Sequence, residues 1–308
     1  MFKLIAKYKA YLIIWYAFLL AVHFIFKDRF SPFIFVFNAV PLIFTVLYGF
    51  FMSVILYRHK TLCLLLLFIN GLLTVYWMNH YYVENKSTYQ NLEAKKHAIL
   101  YWNVARKKHL PLDIIFENMA TYKPEIMVLV EAKNVLEEDI QAFKKQYPDF
   151  EIRQLEGEML IAVKGELNTI DFQHIASSSK YNLVNTTIHG HSISILIIDL
   201  LASPVHSKKS DLTKVVNIAN QNAVDFVIGD FNTPFESYYF KPFNTNFESF
   251  HYYNDGYTAT WPTIFPVLEI DHFWLNKRWQ PLKVNKQFHT VSDHALLIGE
   301  FILKHRKE

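Results

Sequence analysis

The chain has 308 residues, 31 Lys/Arg against 28 Asp/Glu, and an apolar content of 52%, above that of an ordinary soluble domain. A single cysteine, Cys63, excludes a disulfide framework. The first 83 residues hold seven Lys/Arg and one Asp, leaving 24 basic and 27 acidic residues beyond them, so the C-terminal part has no overall positive field to draw in polyanions.

Residues 10–26, 33–57 and 61–83 are almost free of charge and are bounded by Lys3/Lys7/Lys9, Lys27/Arg29, Arg58/Lys60 and Glu84/Lys86. A helix of roughly 17–25 apolar residues spans a bilayer, and soluble helices rarely stay apolar all round, so the pattern predicts three transmembrane helices forming a membrane domain over 1–83. Flanking Lys/Arg divide evenly between the two sides. The Lys triplet before the first helix predicts a cytoplasmic N-terminus, and three crossings then put the C-terminal domain outside the cytoplasm of a bacterial inner or plasma membrane.

A polar stretch, 84–97, reads as a linker to a second domain over 98–308. There the apolar runs become short and β-branched, predicting strands at 98–104, 126–132, 159–164, 193–201, 224–230, 270–275 and 295–302. Helical periodicity covers 111–122 and 134–147, the second opened by Asn134 as a cap. The sequence around "IHGHS" reads as a hairpin turning at Gly190. Hairpins mixed with helical crossovers predict an α/β layered sandwich.

Polar residues recur where these strands end. Asn103 closes "ILYWNV", Glu131 closes "PEIMVLVEA", and Asp230 with Asn232 close "FVIGDFN"; Asp271 and His272 interrupt "EIDHFWL", while Asp293 and His294 precede "ALLIGEF". A carboxylate at the end of an apolar strand needs a cation, a donor or water, and several such ends at one rim would make a site. Taken singly, each also fits a turn or a backbone cap.

In their order, the Asn, "PEIMVLVE", "GDFN", "TWPT…EIDHFWL" and "SDH" resemble the endonuclease/exonuclease/phosphatase superfamily, over about residues 97–304. The resemblance implies two mixed sheets packed face to face between helices, and a Mg²⁺-dependent phosphoester hydrolase, with Mn²⁺ as the alternative ion. It implies that Glu131 holds the metal with Asn103 beside it and Asp293 assisting. Asp230 would orient or deprotonate the attacking water, Asn232 would donate to a phosphate oxygen, and His294, oriented by Asp271, would stabilise developing negative charge. Oxygen ligands suit Mg²⁺, and imidazolium, amide and metal all oppose charge on phosphoryl oxygens. The two-residue step from Asp230 to Asn232 would point both side chains to one face of the strand.

Many relatives place a His after the strand that precedes "GDFN", where this chain reads "IIDLLASPVHSKKSD". Anchoring on Pro204 puts Leu200 or Leu201 at that place, with Asp199 and His206 nearby but out of register, and Lys208/Lys209 read as a solvated pair. The expected partners are a lipid bilayer and a phosphate-ester substrate, whether nucleic acid, lipid head group or small molecule; no protein partner is implied. The competing reading is a membrane-tethered binding or scaffold domain of the same fold without catalysis.

Overall fold

The computed structural model describes residues 2–84, 95–176 and 178–304, so most of the expected linker, 85–94, lies outside the described residues. The chain divides into two compact units. One comprises Met1–Val83 with the short segments Ser203–Ser207 and Glu236–Tyr238; the other comprises Glu84–Ala202, Lys208–Phe235 and Tyr239–Glu308.

The first unit is helical: α1 (Phe2–Ala21), continued by a five-residue π-helix at Val22–Phe26, then α2 (Ser31–Ala39), α3 (Leu42–Ile55) and α4 (Lys60–Tyr81), with a two-residue strand β1 (Tyr82–Val83) after them. Lys9–Phe26 and Lys60–Tyr81 are long and apolar enough to cross a membrane, with mean hydropathies of 1.8 and 1.9. The segment expected as a third straight span, 33–57, is instead two helices, α2 and α3, bent by 81°. Pro41 lacks the N–H that would continue the ladder, and it pushes Val40 out of the helical region to φ −120°, ψ 83°. Alone, the 14 residues of α3 rise about 21 Å, short of a hydrocarbon core of about 30 Å. Outward faces are apolar, as at Val54, Leu64 and Phe68. Inside, the Tyr16 hydroxyl donates to Asn70 Oδ1 at 2.8 Å, and Asn70 Nδ2 donates to the Leu66 carbonyl at 2.9 Å. Gly49 admits this amide, since a Cβ there would lie 2.1 Å from Asn70 Oδ1.

The second unit is built from β2 (His97–Asn103), α5 (Leu112–Tyr122), β3 (Ile126–Val130), α6 (Glu137–Gln146), β4 (Glu151–Leu155), β5 (Met159–Val163), β6 (Glu166–His174), β7 (Lys180–Ile188), β8 (His191–Asp199), α7 (Lys209–Gln221), β9 (Phe226–Asp230), β10 (Phe247–Ser249), β11 (Gly256–Tyr257), β12 (Asp271–Asn276), β13 (Trp279–Gln287) and β14 (Leu296–Leu303). Two six-stranded mixed sheets result, in the orders β13-β14-β2-β3-β5-β4 and β10-β12-β9-β8-β7-β6. Within these two sheets, β2–β3 and β8–β9 pair in parallel and the other neighbours antiparallel.

Pleat alternation sorts each central strand between two cores. In β2, Ile99 and Tyr101 join a cluster with Val128, Ile195, Ile228 and Phe273 from both sheets. Its alternate residues Leu100 and Trp102 pack outward with Ile115 of α5 and Phe143 of α6. On the other sheet, Leu196, Ile198 and Val227 pack outward with Leu212, Val215 and Ala219 of α7. The order of layers is therefore helix, sheet, sheet, helix, and the central strands read as unbroken apolar runs because both faces are covered.

Two local expectations differ from the structure. Helix α6 starts at Glu137, where Asp139 Oδ2 accepts the Leu136 amide at 3.2 Å; Asn134 caps nothing and donates its Nδ2 to the Arg106 carbonyl at 3.0 Å. Helix α7 was not expected, although Leu212, Val215, Val216 and Ala219 carry the apolar stripe it buries.

Candidate active site

Three neighbouring strands of the second sheet end in aspartates that stand side by side. Asp199 of β8 is in register with Asp230 of β9, and Asp271 of β12 faces the same Asp230 from the other flank. All three are buried. The sheet can bring its strands this close because position 229 is glycine: its φ is +154°, and a Cβ would lie 2.0 Å from the Ile198 carbonyl oxygen.

The first sheet reaches the same point. The Tyr101 hydroxyl donates to Asp271 Oδ1 at 2.8 Å, and Asn103 Nδ2 donates to Asp230 Oδ2 at 3.1 Å. The Asn103 side-chain oxygen meanwhile accepts the Ala105 amide at 2.9 Å, which fixes which way the carboxamide faces. On the edge of β14, His294 Nδ1 lies 2.9 and 3.2 Å from the two Asp271 oxygens, while its Nε2 lies 3.7 Å from Asp230 Oδ2 and 3.4 Å from Asn103 Nδ2. The sequence-expected residues Asn103, Asp230, Asp271 and His294 thus form one buried cluster, with Asp271 orienting the imidazole.

Burial alone would strip the His294 proton, but Asp271 and Asp230 outweigh it and hold the imidazole pKa up at about 10. Asp230 moves well above the usual carboxylate range, chiefly through burial and further through Asp271 and Asp199, with His294 opposing. Asp230, Asp271 and His294 offer ligand atoms all within 4.8 Å of one another. An imidazolium has no lone pair to give, however, so this trio is better suited to holding a proton than an ion.

Glu131 directly follows β3, at φ +52°, and its carboxylate is held 3.0 Å from an Arg106 guanidinium nitrogen. Burial raises its pKa; Arg106 lowers it, while Asp199 and Asp293 raise it as like charges in reach. A carboxylate is a hard oxygen donor of the kind a divalent Mg²⁺ or Mn²⁺ ion prefers. Asp293 is exposed, and its Oδ2 accepts the Trp261 indole N–H at 3.0 Å.

Several sequence expectations change here. Strand β9 stops at Asp230, so pleat alternation does not aim Asn232; that residue sits at φ +45°. Its backbone N–H instead donates to Asp230 Oδ1 at 2.8 Å, and its Nδ2 to the Leu200 carbonyl at 2.8 Å. Leu200 is core, packed with Leu212 and Phe231, and Asp199 is the strand-end residue beside Asp230. Asp199 Oδ2 is paired with Lys180 Nζ at 3.2 Å, across directly facing positions of β7 and β8. His206 falls in the loop segment Ser203–Ser207. Lys208 is not solvated: it is buried and donates to the Leu201 carbonyl, and burial brings its pKa down to about 8. His272, next to Asp271, faces the opposite side of the strand, where its Nε2 lies 2.9 Å from the Thr233 carbonyl and Phe231 and Phe240 surround it.

Arg106, Lys180 and Tyr101 escaped sequence reasoning. Arg106 stands three residues past Asn103, and only its left-handed φ of +52° brings it back towards Glu131. Tyr101 looks like any core aromatic, and its hydroxyl partner lies 170 residues away.

A four-layer sandwich whose strand ends gather acids, an amide and an imidazole belongs to the class of layered α/β phosphoesterase folds. The chain is a member of the Endonuclease/Exonuclease/phosphatase family, which matches residues 100–294. No curated protein sequence matches it. Among solved structures, it is similar to an endonuclease/exonuclease/phosphatase family protein from Bacteroides thetaiotaomicron, with 10% identity and a TM-score of 0.53, over 69% of this chain and 100% of that one. It is also similar to the human Nocturnin catalytic domain with bound sulfate anion (15% identity, TM-score 0.53, 68% of this chain and 95% of that one). The D. rerio TDP2 complexed with single-strand DNA product aligns at 13% identity and TM-score 0.53, over 67% of this chain and 99% of the other. At these identities the likeness speaks for the fold.

Proposed function

We propose that the protein is a membrane-anchored, divalent-metal-dependent phosphoesterase. The observation that carries this reading is the Asp199–Asp230–Asp271 row, met by Asn103 from the opposite sheet and by the His294–Asp271 pair. Two long apolar helices, Lys9–Phe26 and Lys60–Tyr81, support the anchor. With α2 and α3 taken together as a third crossing, the N-terminal Lys triplet favours a catalytic unit outside the cytoplasm.

Glu131 and Asp293, with the Asn103 carboxamide close by, would hold the Mg²⁺ ion, which when bound offsets charge on the phosphoryl oxygens. Asp230 is raised in basicity by burial and flanking acids, so it can take a proton from an attacking water that it also orients. The Asn232 amide engages Asp230 Oδ1 and the Asn103 carboxamide engages Oδ2, and each oxygen keeps a further lone pair for that task. His294, protonated and fixed by Asp271, presents Nε2–H to the oxygen that gathers charge as the ester bond breaks.

The test is hydrolysis of bis-p-nitrophenyl phosphate and p-nitrophenyl phosphate by the full-length protein, with Mg²⁺ and with EDTA. Metal-dependent turnover that Asp230→Ala abolishes, at an unchanged melting temperature, is the expected result. Absence of turnover on these esters, on DNA and on phospholipids would leave a binding or scaffold domain in its place.

A further inference from the structure

The loop between β11 and β12 exposes large apolar side chains on the second unit. Ile264 is 97% exposed and Phe265 59%, and Trp261, Pro262, Pro266, Val267 and Leu268 around them are half-buried. The loop is a closed hairpin: the Trp261 and Leu268 backbones exchange hydrogen bonds, each at 3.0 Å, and Phe265 N–H donates to the Pro262 carbonyl at 3.1 Å. Its base is stitched to the active-site segment. Trp261 Nε1 and the Thr263 amide donate to the Asp293 side chain and carbonyl at 3.0 and 2.8 Å, and the Ala295 amide donates to Thr260 at 2.9 Å. Thr260 Oγ1 also accepts the Asp271 amide at 3.3 Å. The apolar tip is therefore held at a fixed place relative to Asp271, Asp293 and His294.

Its chemistry selects among phosphate esters. From Gly256 to Leu268 there is no Lys, Arg, His, Asp or Glu. A wall built for a nucleic-acid backbone places cations along the phosphates, and this one has none. An exposed pair of large apolar side chains on a preorganised hairpin instead fits a hydrocarbon chain, whose burial needs area and no partner groups.

We propose that the 261–268 hairpin contacts the hydrocarbon chain of an amphiphilic phosphoester substrate while the Asp230–His294 cluster takes its phosphate. This rests on the phosphoesterase reading above and narrows its substrate to lipid-like esters.

Full-length protein in lipid nanodiscs would be given a series of alkyl p-nitrophenyl phosphate diesters, methyl to octyl, below their micelle concentrations. All share one scissile bond. Expected is a rise in kcat/KM of at least about tenfold from methyl to octyl, since each fully buried methylene contributes roughly fourfold. The double variant Ile264→Ser/Phe265→Ser should lose that rise and match the unaltered protein on the methyl ester. A flat series in the unaltered protein, or a slope that survives in the variant, overturns the proposal. So does hydrolysis of single-stranded DNA that the variant loses in parallel, which would make Phe265 a base-stacking residue. A second measurement is independent of turnover: an environment-sensitive fluorophore on Ile264→Cys, in a Cys63→Ser background, should shift to the blue with octyl phosphate and not with methyl phosphate. If no ester is cleaved but this shift occurs, the phosphoesterase reading fails and the hydrocarbon site stands; equal responses to both phosphates refute the site.

Discussion

Asp271→Asn removes one full charge from the cluster and little else. The amide is nearly isosteric, can still accept from the Tyr101 hydroxyl, and keeps the strand register with Asp230. What is lost is a carboxylate 2.9 Å from His294 Nδ1. A unit charge about 4 Å from the imidazolium centre contributes on the order of 4 kcal/mol at an effective dielectric of 20. At about 1.4 kcal/mol per decade, the proton on His294 becomes roughly a thousandfold easier to lose, so kcat/KM should fall about twofold at neutral pH, where half the imidazole still holds its proton, and roughly a hundredfold near pH 9. Direction can be read separately. The His294 pKa is held up at about 10, the effect of burial being outweighed by Asp271 and then Asp230, so deleting the Asp271 charge lowers it. The alkaline limb of the rate profile should move towards neutrality by two to three units, roughly, as the same Coulomb figure implies. The assay is the pH dependence of kcat/KM on bis-p-nitrophenyl phosphate with Mg²⁺, alongside a melting curve. A variant that near pH 9 keeps its rate within about threefold of the unaltered protein, against the roughly hundredfold loss expected there, would refute the role given to the Asp271 charge.

Two further outcomes are accessible without any substrate. Lys180→Met leaves Asp199 buried beside Asp230 without its cation, and breaking such a pair costs about 3 to 5 kcal/mol; Lys180→Met/Asp199→Leu should recover most of that loss, and a double variant no more stable than the single one would contradict the pairing. Glu125 lies away from the cluster, 2.7 Å from His189 Nε2 and 3.3 Å from Lys95, and also meets His97. Burial raises its pKa, but the His97, His189 and Lys95 contacts outweigh that and bring it down to about 2. A depressed carboxylate stabilises the fold above its unfolded pKa, so about 2 to 3 kcal/mol present at pH 6 should fade as pH falls from about 4.5 towards 2. Glu125→Gln should flatten that part of the melting-temperature profile, and an unchanged profile would rule the network out.

The strands that could be read from the sequence are those covered on both faces. Ile126–Val130, Met159–Val163 and Phe226–Asp230 are buried at every position, so they announce themselves as apolar runs with nothing to confuse them. Strand β6, "ELNTIDFQH", lies at a sheet edge and is mostly exposed, and its polar composition hides it. The second apolar segment is long enough for a span by composition, but composition cannot see that Pro41 turns a 25-residue apolar stretch into two helices.

The site divides in the same way. Asp230, Asp271 and His294 are legible because a charged residue is expensive inside an apolar context, and the sequence context shows that expense directly. Asp199 carries the same signal, yet its role depends on a pairing register, and no sequence spacing reports that Asp199 faces both Lys180 and Asp230. Arg106 and Tyr101 carry no such signal: an arginine after a strand and a tyrosine inside one are ordinary. Their importance arises only when one sheet lies on the other and brings Tyr101 to Asp271, and when the parallel pairing of β2 with β3 sets Arg106 beside Glu131. Groups that bear the cost of burial can be found by reading along the chain. Groups that offset it come from elsewhere in the fold, and Tyr101 from the facing sheet and Lys180 and Arg106 from neighbouring strands carry no local signal of the acids they meet.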